Sequence, residues 1–264
     1  MTVVVGYPPE SRGRGGLELG ALLSRSGGGD LVVCCVVPDR WEVPSMARVD
    51  ESYAAHLREL AESALAHARS ILGPDIDAEY VVRTVGMGSV TDRLLHSADL
   101  PLALAPRGYR CGAVPQVERV TVAVDGTASS TSVLVEAARV TQEIDARLRV
   151  VTFAVRGQTM YPAGVGLHAE DAVIAAWREQ ASGFLTQTLA TLAEQPDVGV
   201  PEDARIVDGP DWASALANAE WSAGDLLVVG SSRVGPISRV FLGSTAAHIV
   251  RHSPVPVLLL PAAG

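Results

Sequence analysis

The chain is poor in cysteine, aromatic residues and positive charge, and it has no long uninterrupted apolar run. Of its 264 residues only three are cysteine, Cys34, Cys35 and Cys111, an odd number with one adjacent pair inside an apolar run. That pattern fits neither a disulfide framework nor a metal-site spacing, so all three are expected as core thiols. The longest apolar runs, 31–38 and 255–261, stop well short of the ~20 residues that cross a bilayer. The start, Met1-Thr2-Val3-Val4-Val5-Gly6, has no basic segment and enters a strand-like run at once, so no secretory signal is expected and a cytoplasmic location is. Twenty-one basic against 30 acidic residues leave a formal charge of −9. Nucleic acid is therefore a poor partner, because phosphate-backbone contacts need clustered cations. The six histidines form no Cys/His cluster, and no Gly-x-Ser-x-Gly elbow is present, so zinc sites and nucleophilic hydrolysis lack support. Gly86-Met87-Gly88 is too short for a dinucleotide fingerprint.

What is present is apolar and repetitive. Hydrophobic residues make up 48% of the chain and mean hydropathy is +0.23, ample for a core. Val3-Val4-Val5-Gly6, Gly20-Ala21-Leu22-Leu23 and Leu31–Val37 recur as Val122-Ala123-Val124-Asp125, Ala137-Ala138-Arg139-Val140 and Leu148–Ala154, an offset of about 117. Ser97–Leu104 resembles Ala223–Gly230. The chain reads as a tandem duplication, with domains over 1–116 and 117–264.

Short β-branched runs alternate with helical patterns, which predicts βαβ crossovers and parallel sheets with helices on both faces. Copy one has expected strands near 2–6, 30–37, 77–83 and 100–105. A helix near 50–72 carries the stripe Tyr53, Leu57, Leu60, Ala64, Ala68 and Ile71, stopped by Gly73-Pro74. Copy two has expected strands near 119–125, 148–155, 203–207, 225–230 and 255–260, and helices near 130–143, 169–193, 211–222 and 243–252. Its long helix carries Ile174, Trp177, Ala181, Phe184, Leu185, Thr188 and Leu192 as an apolar stripe. Copy one is expected to stop after its fourth strand, lacking a last helix and strand.

Ligands of doubly wound sheets bind beyond the carboxyl ends of the strands, where strand order reverses. Two strand-end loops of copy two therefore matter. In Val124–Ser130 a carboxylate ends a strand, and Asp125 reads either as a nucleoside contact or as an Asx-type turn with Ser129 or Ser130 capping the helix. In Val229–Ala246, Gly230 allows close backbone approach, and Gly243-Ser244-Thr245 brings N–H groups, hydroxyls and a helix dipole to where phosphate would sit. Gly243 as a turn glycine and Ser244 as a simple cap is the competing reading. Arg156–Gly166 and Pro38–Met46 are long loops of the lid kind, and Trp41 and Tyr161 on them are candidate partner contacts.

The second loop, with Arg251-His252-Ser253-Pro254-Val255-Pro256 and Val257–Pro261 after it, resembles the C-terminal signature of the universal stress protein family; copy one resembles it more faintly from Val3 to about Arg107. The resemblance implies two tandem doubly wound parallel-sheet domains of the adenine-nucleotide alpha-hydrolase-like α/β fold, the first truncated, forming a non-enzymatic, ATP-responsive stress regulator. It also implies Gly-x-x-Gly, nine residues, Gly-Ser/Thr as the ATP motif. That motif reads here Gly230-Ser231-Ser232-Arg233, nine residues, Gly243-Ser244, with Arg233 in place of the second glycine. Either Arg233 fills the site and excludes nucleotide, or its guanidinium pairs with the phosphates. By the same resemblance Asp125 matches the ribose-side aspartate, Phe153 lies near the adenine-side position, and Ser244 and Thr245 match phosphate- and ribose-side residues. Mg²⁺ is expected with a triphosphate, since Arg233 and Arg239 are the few cations at hand. Copy one, with Gly6-Tyr7-Pro8-Pro9 at its first strand end, is expected to bind no nucleotide. The alternative is a protein-interaction module of the same fold without nucleotide. A homodimer through 255–260 is expected if that apolar strand lies at a sheet edge.

Overall fold

A computed structural model describes residues 1–8, 13–38, 49–85, 100–155, 167–196, 198–233, 240–241 and 244–261. It divides into two units, Met1–Leu94 with Arg107–Gln116, and Leu95–Pro106 with Val117–Gly264. The lid segments Arg156–Gly166 and 39–46, with Trp41 and Tyr161, and also Gly86–Gly88, Arg239 and Gly243, lie outside the described residues.

The first unit holds three parallel strands in the order β1 (Thr2–Gly6), β2 (Asp30–Pro38), β3 (Glu79–Val85). Two helices, α1 (Arg14–Gly27) and α2 (Val49–Leu72), cover one face. Leu31, Val33, Cys35 and Val37 alternate inward and are buried against Leu17, Ala21, Ala61, Leu65 and Ala68. The other face is open at Val4, which is 66% exposed, so the first sheet is one-sided among the described residues rather than covered on both faces. On α2 Ala64 and Ala68 are buried and Leu57 and Ile71 pack against the core as the stripe requires, but Leu60 is on the surface, and Ala61, Leu65 and Leu72 extend the buried face beside it. Gly73 ends α2 as expected: its φ is +75°, and its N–H closes back on the Arg69 carbonyl at 3.1 Å. All three cysteines are free thiols, Cys35 and Cys111 being buried.

In the second unit the strands are β4 (Leu102–Leu104), β5 (Arg119–Ala123), β6 (Arg147–Val155), β7 (Asp203–Gly209), β8 (Asp225–Arg233), β9 (Val240–Phe241) and β10 (Val257–Pro261). The helices are α3 (Ala128–Glu143), α4 (Leu167–Ala193), α5 (Trp212–Ala217) and α6 (Ser244–His252). Six strands run in the order β4-β10-β8-β5-β6-β7, and β9 folds back antiparallel on the end of β8. From β5 through β10 the main sheet is parallel, and its central strands are buried on both faces, as crossover helices on either side require. On α4, Ala181, Leu185, Thr188 and Leu192 are buried, while Phe184 stays 39% exposed.

β4 departs from expectation. It does not join β1–β3 but pairs antiparallel with β10, Leu102 opposite Leu259 and Leu104 opposite Val257. Pro101–Pro106 and Pro256–Pro261 share one pattern, four apolar residues between prolines, so β4 corresponds to β10 and not to β8. The strands of copy two without a counterpart among the described residues of copy one are thus β8 and the short β9 that folds back on it. β10 is flanked on both sides, which removes the sheet-edge basis of the expected homodimer.

At the amino ends of these strands, Arg119 donates through Nε to Asp225 Oδ1 at 2.9 Å, and Asp225 is almost wholly buried. Beside them Arg149, 1% exposed, donates to Thr121 Oγ1 (2.9 Å) and to the Ala219 and Glu220 carbonyls (2.7 and 3.2 Å), with its guanidinium 4.8 Å from the Trp221 ring. Burial, with Arg119 close by, holds the Arg149 guanidinium below its ordinary pKa.

Candidate functional site

The chain runs outward through β5, β6 and β7, then returns to the other flank of β5 as β8. Strand order reverses between β5 and β8, and a crevice forms at their carboxyl ends for topological reasons alone. Two segments reach it, the β5–α3 turn and the stretch from β8 to α6.

In the first segment the Asx turn is real, but its cap differs from expectation. Asp125 Oδ1 accepts from the Thr127 N–H (3.1 Å) and the Thr127 hydroxyl (2.7 Å). Thr127, rather than Ser129 or Ser130, is the α3 N-cap, its Oγ1 accepting from the Ser130 N–H at 3.2 Å. Partial desolvation pushes the Asp125 carboxyl up, and the donors from Thr127 and Ser130 outweigh it, leaving the carboxyl below its ordinary pKa. An exposed, anionic carboxylate thus stands at the crevice lip. Gly126 completes the turn at φ +80°, where a Cβ would also lie 2.8 Å from the Phe184 ring.

In the second segment β8 extends through Arg233, past the end expected for it, and pairs Ser232 with Phe241 and Arg233 with Val240. The Arg233 backbone is therefore strand, and its side chain lies outside the described residues. Gly230 has a structural reason of its own: a Cβ there would meet Val133 Cγ2 of α3 at 2.9 Å. Ser231, 2% exposed, has a hydroxyl with no hydrogen-bond partner among the described residues. Ser244 and Thr245 are the first two residues of α6, both exposed, where the first-turn N–H groups and the positive end of the helix dipole gather.

Phe153 is partly buried on β6 and packs on Trp212, with centroids 6.2 Å apart at 59°. Trp212 in turn stacks flat on His248 of α6 at 5.8 Å and 5°. Phe153 thus belongs to the apolar cluster beneath α5 and α6. The structure brings Asp125, Gly230, Ser244 and Thr245 to one end of the sheet. Sequence reading missed Thr127, Ser231 and the Trp212–His248 stack. Only Thr127 had a local signal, since a Thr two residues after an Asp favours an Asx turn.

The polar groups are one ionised carboxylate, exposed hydroxyls, a buried hydroxyl without a partner among the described residues, and a helix start. It suits a ligand with hydroxyl and phosphate groups. No described group of three or more His, Cys, Asp or Glu could hold a metal ion. Among the described residues no helix is long and apolar enough to cross a membrane.

Comparisons with known proteins agree with this architecture. The model of the universal stress protein family matches residues 116–261. A universal stress protein of Mycobacterium tuberculosis is 35% identical over 296 aligned positions, taking in 99% of this chain and all of that one. A shorter match, 38% over 63 residues, joins 24% of this chain to 46% of a universal stress protein of Thermus aquaticus. Among solved structures, a universal stress protein of Archaeoglobus fulgidus shares the fold at TM-score 0.57 and 17% identity, over 98% of both chains. The chain belongs to the universal stress protein family.

Proposed function

We propose that the chain is a cytoplasmic, adenine-nucleotide-responsive regulator that binds without turning its ligand over, through one site in the second unit. The observation that carries this reading is the convergence of Asp125 and the Ser244–Thr245 start of α6 on the strand-reversal crevice. The Asp125 carboxylate accepts from ribose hydroxyls, the α6 start and its hydroxyls donate to phosphate oxygens, and Ser231 offers a buried hydroxyl that lacks a partner among the described residues. Mg²⁺ enters with ATP and offsets the phosphate charge, in a chain whose net charge is −9.

Calorimetric titration of MgATP into nucleotide-stripped protein tests the reading, alongside Asp125→Ala and Gly243→Val. Saturable binding is expected, weakened at least about tenfold in either variant, since a charge-assisted hydrogen bond or the close approach to phosphate is lost. No heat and no thermal stabilisation at about a thousandfold excess of nucleotide would overturn it.

A further inference from the structure

We propose that a groove in the first unit, distant in sequence from the nucleotide crevice, binds a small amphipathic oxyanion: an anionic head held by arginines and an apolar body laid on the α1–α2 floor. Arg14, Glu18, Ala21 and Arg25 follow one another at four-, three- and four-residue steps, which puts them on one face of α1. That face lines an open groove of about 410 Å³, lined also by Ile71, Leu72 and Ile76 around the end of α2 and by Arg110 and Cys111. The volume is within the range of small-ligand sites.

Its electrostatics select the ligand. Three guanidiniums surround one carboxylate, an excess of two positive charges on a chain carrying −9. Glu18 is already used: it accepts from Arg14 Nε at 2.8 Å and from the Cys111 N–H at 2.9 Å, and Arg110 Nε lies 3.7 Å away. One carboxylate with these partners leaves the guanidinium excess unneutralised. Arg25 is fixed by donating to the Pro115 carbonyl at 2.9 Å, so the groove wall is held at that end. Arg14 and Arg110 are half exposed, and ion pairs so placed add little to folding, so stability gives no reason for gathering them. Every one of the 21 cations of this chain is arginine, the side chain whose planar fork matches an oxyanion bidentately. The floor is aliphatic, which excludes a bare inorganic anion as the preferred ligand and calls for an apolar body behind the charge.

The test uses the full chain with octanoate and octyl phosphate as probes and 1-octanol as the uncharged control, read by calorimetry. Both oxyanions are expected to bind saturably and more weakly as salt rises, while 1-octanol binds at least about tenfold less tightly. Arg14→Gln and Arg110→Gln should each weaken the oxyanions about tenfold or more and leave far-UV circular dichroism unchanged, both side chains being half exposed. Gly243→Val should bind them as the parent does, which separates this groove from the nucleotide site. Absence of saturable binding, equal binding of 1-octanol, or indifference to both arginine substitutions would each overturn the proposal.

Discussion

Gly230→Ala separates two reasons for having glycine at the end of β8. The new Cβ would lie 2.9 Å from Val133 Cγ2, against about 3.5–4.0 Å for an ordinary carbon contact. Val133 has nowhere to go, since it is 1% exposed and its β-branched side chain holds one rotamer in a helix. The strand and α3 must therefore part by more than half an ångström, or the valine must leave its well. Such overpacking costs about 1–3 kcal/mol, and losing a flexible glycine returns about 0.5–1 kcal/mol. A net loss of about 1–2 kcal/mol is expected, some 2–8 °C in Tm for a unit of this size.

Val133→Ala alone should cost about 2 kcal/mol by emptying a packed site. In the double variant the added methyl at position 230 enters the vacated space, so the combined loss falls about 1–2 kcal/mol short of additive. Urea unfolding followed by the fluorescence of Trp212 and Trp221, both in the second unit, measures each corner of the cycle. Strict additivity would refute the packing argument. So would an unchanged Gly230→Ala stability accompanied by lost MgATP binding, which would return Gly230 to the ligand.

Three further outcomes follow from the same geometry. Arg149→Met keeps volume but strands Thr121 Oγ1 and the Ala219 carbonyl, while the Glu220 carbonyl keeps its donor from Arg119, so chemical unfolding should show a loss of about 1–3 kcal/mol; unchanged stability would show that the buried charge costs what it returns. Because the folded Asp125 carboxyl is lowered, its stabilisation is complete above the ordinary carboxylate value and disappears as pH falls through the folded one. The Tm advantage of wild type over Asp125→Asn should therefore hold near neutrality and close in acid, and a gap that widens in acid would reverse the sign. Ala103→Pro breaks the β4 pairing opposite Leu258 and bares the β10 edge, so light scattering should detect self-association absent from the parent; a monomer of unchanged mass would show that the edge is protected otherwise.

The strands of the second sheet were legible because parallel strands buried on both faces must be written as continuous apolar runs, and β6, β8 and β10 carry them. Helix faces were legible except at single positions of each stripe. Leu60 and Phe184 fit an apolar stripe on a helical wheel, yet both reach solvent, since which side of a stripe is covered depends on neighbours distant in sequence. The partner of β4 could not come from local pattern at all, although the matching prolines of 101–106 and 256–261 were a readable signal that β4 corresponds to the last strand. Burial of Arg149 needed a hydroxyl 28 residues away and carbonyls 70 and 71 residues away, and no local rule anticipates that. At the candidate site, Asp125 follows β5, and Ser244 and Thr245 open the last helix, which the strand and helix patterns made legible. Gly230 was read for a ligand, while its missing Cβ makes room for Val133.

Comparison of the two copies limits the nucleotide proposal to one site per chain. Thr2 pairs with Asp30 as Arg119 pairs with Arg147, each 117 positions on, and the Tyr7 N–H donates to the Cys34 carbonyl as the Val124 N–H does to Val151, both at 2.9 Å. The two copies are thus in identical register at this strand end, and Pro8 occupies the place of Asp125. Proline has no side-chain oxygen to close an Asx turn or to meet a ribose hydroxyl. Restoring the carboxylate would not suffice, since β8, the second flank of the crevice, has no counterpart among the described residues of the first copy, whose sheet is open on one face among those residues. Calorimetry should therefore return one MgATP per chain both for the parent and for Pro8→Asp. A stoichiometry of two in either protein would show that a nucleotide can be held without the second flank of the crevice, and the switch-point argument for the second unit would lose its force.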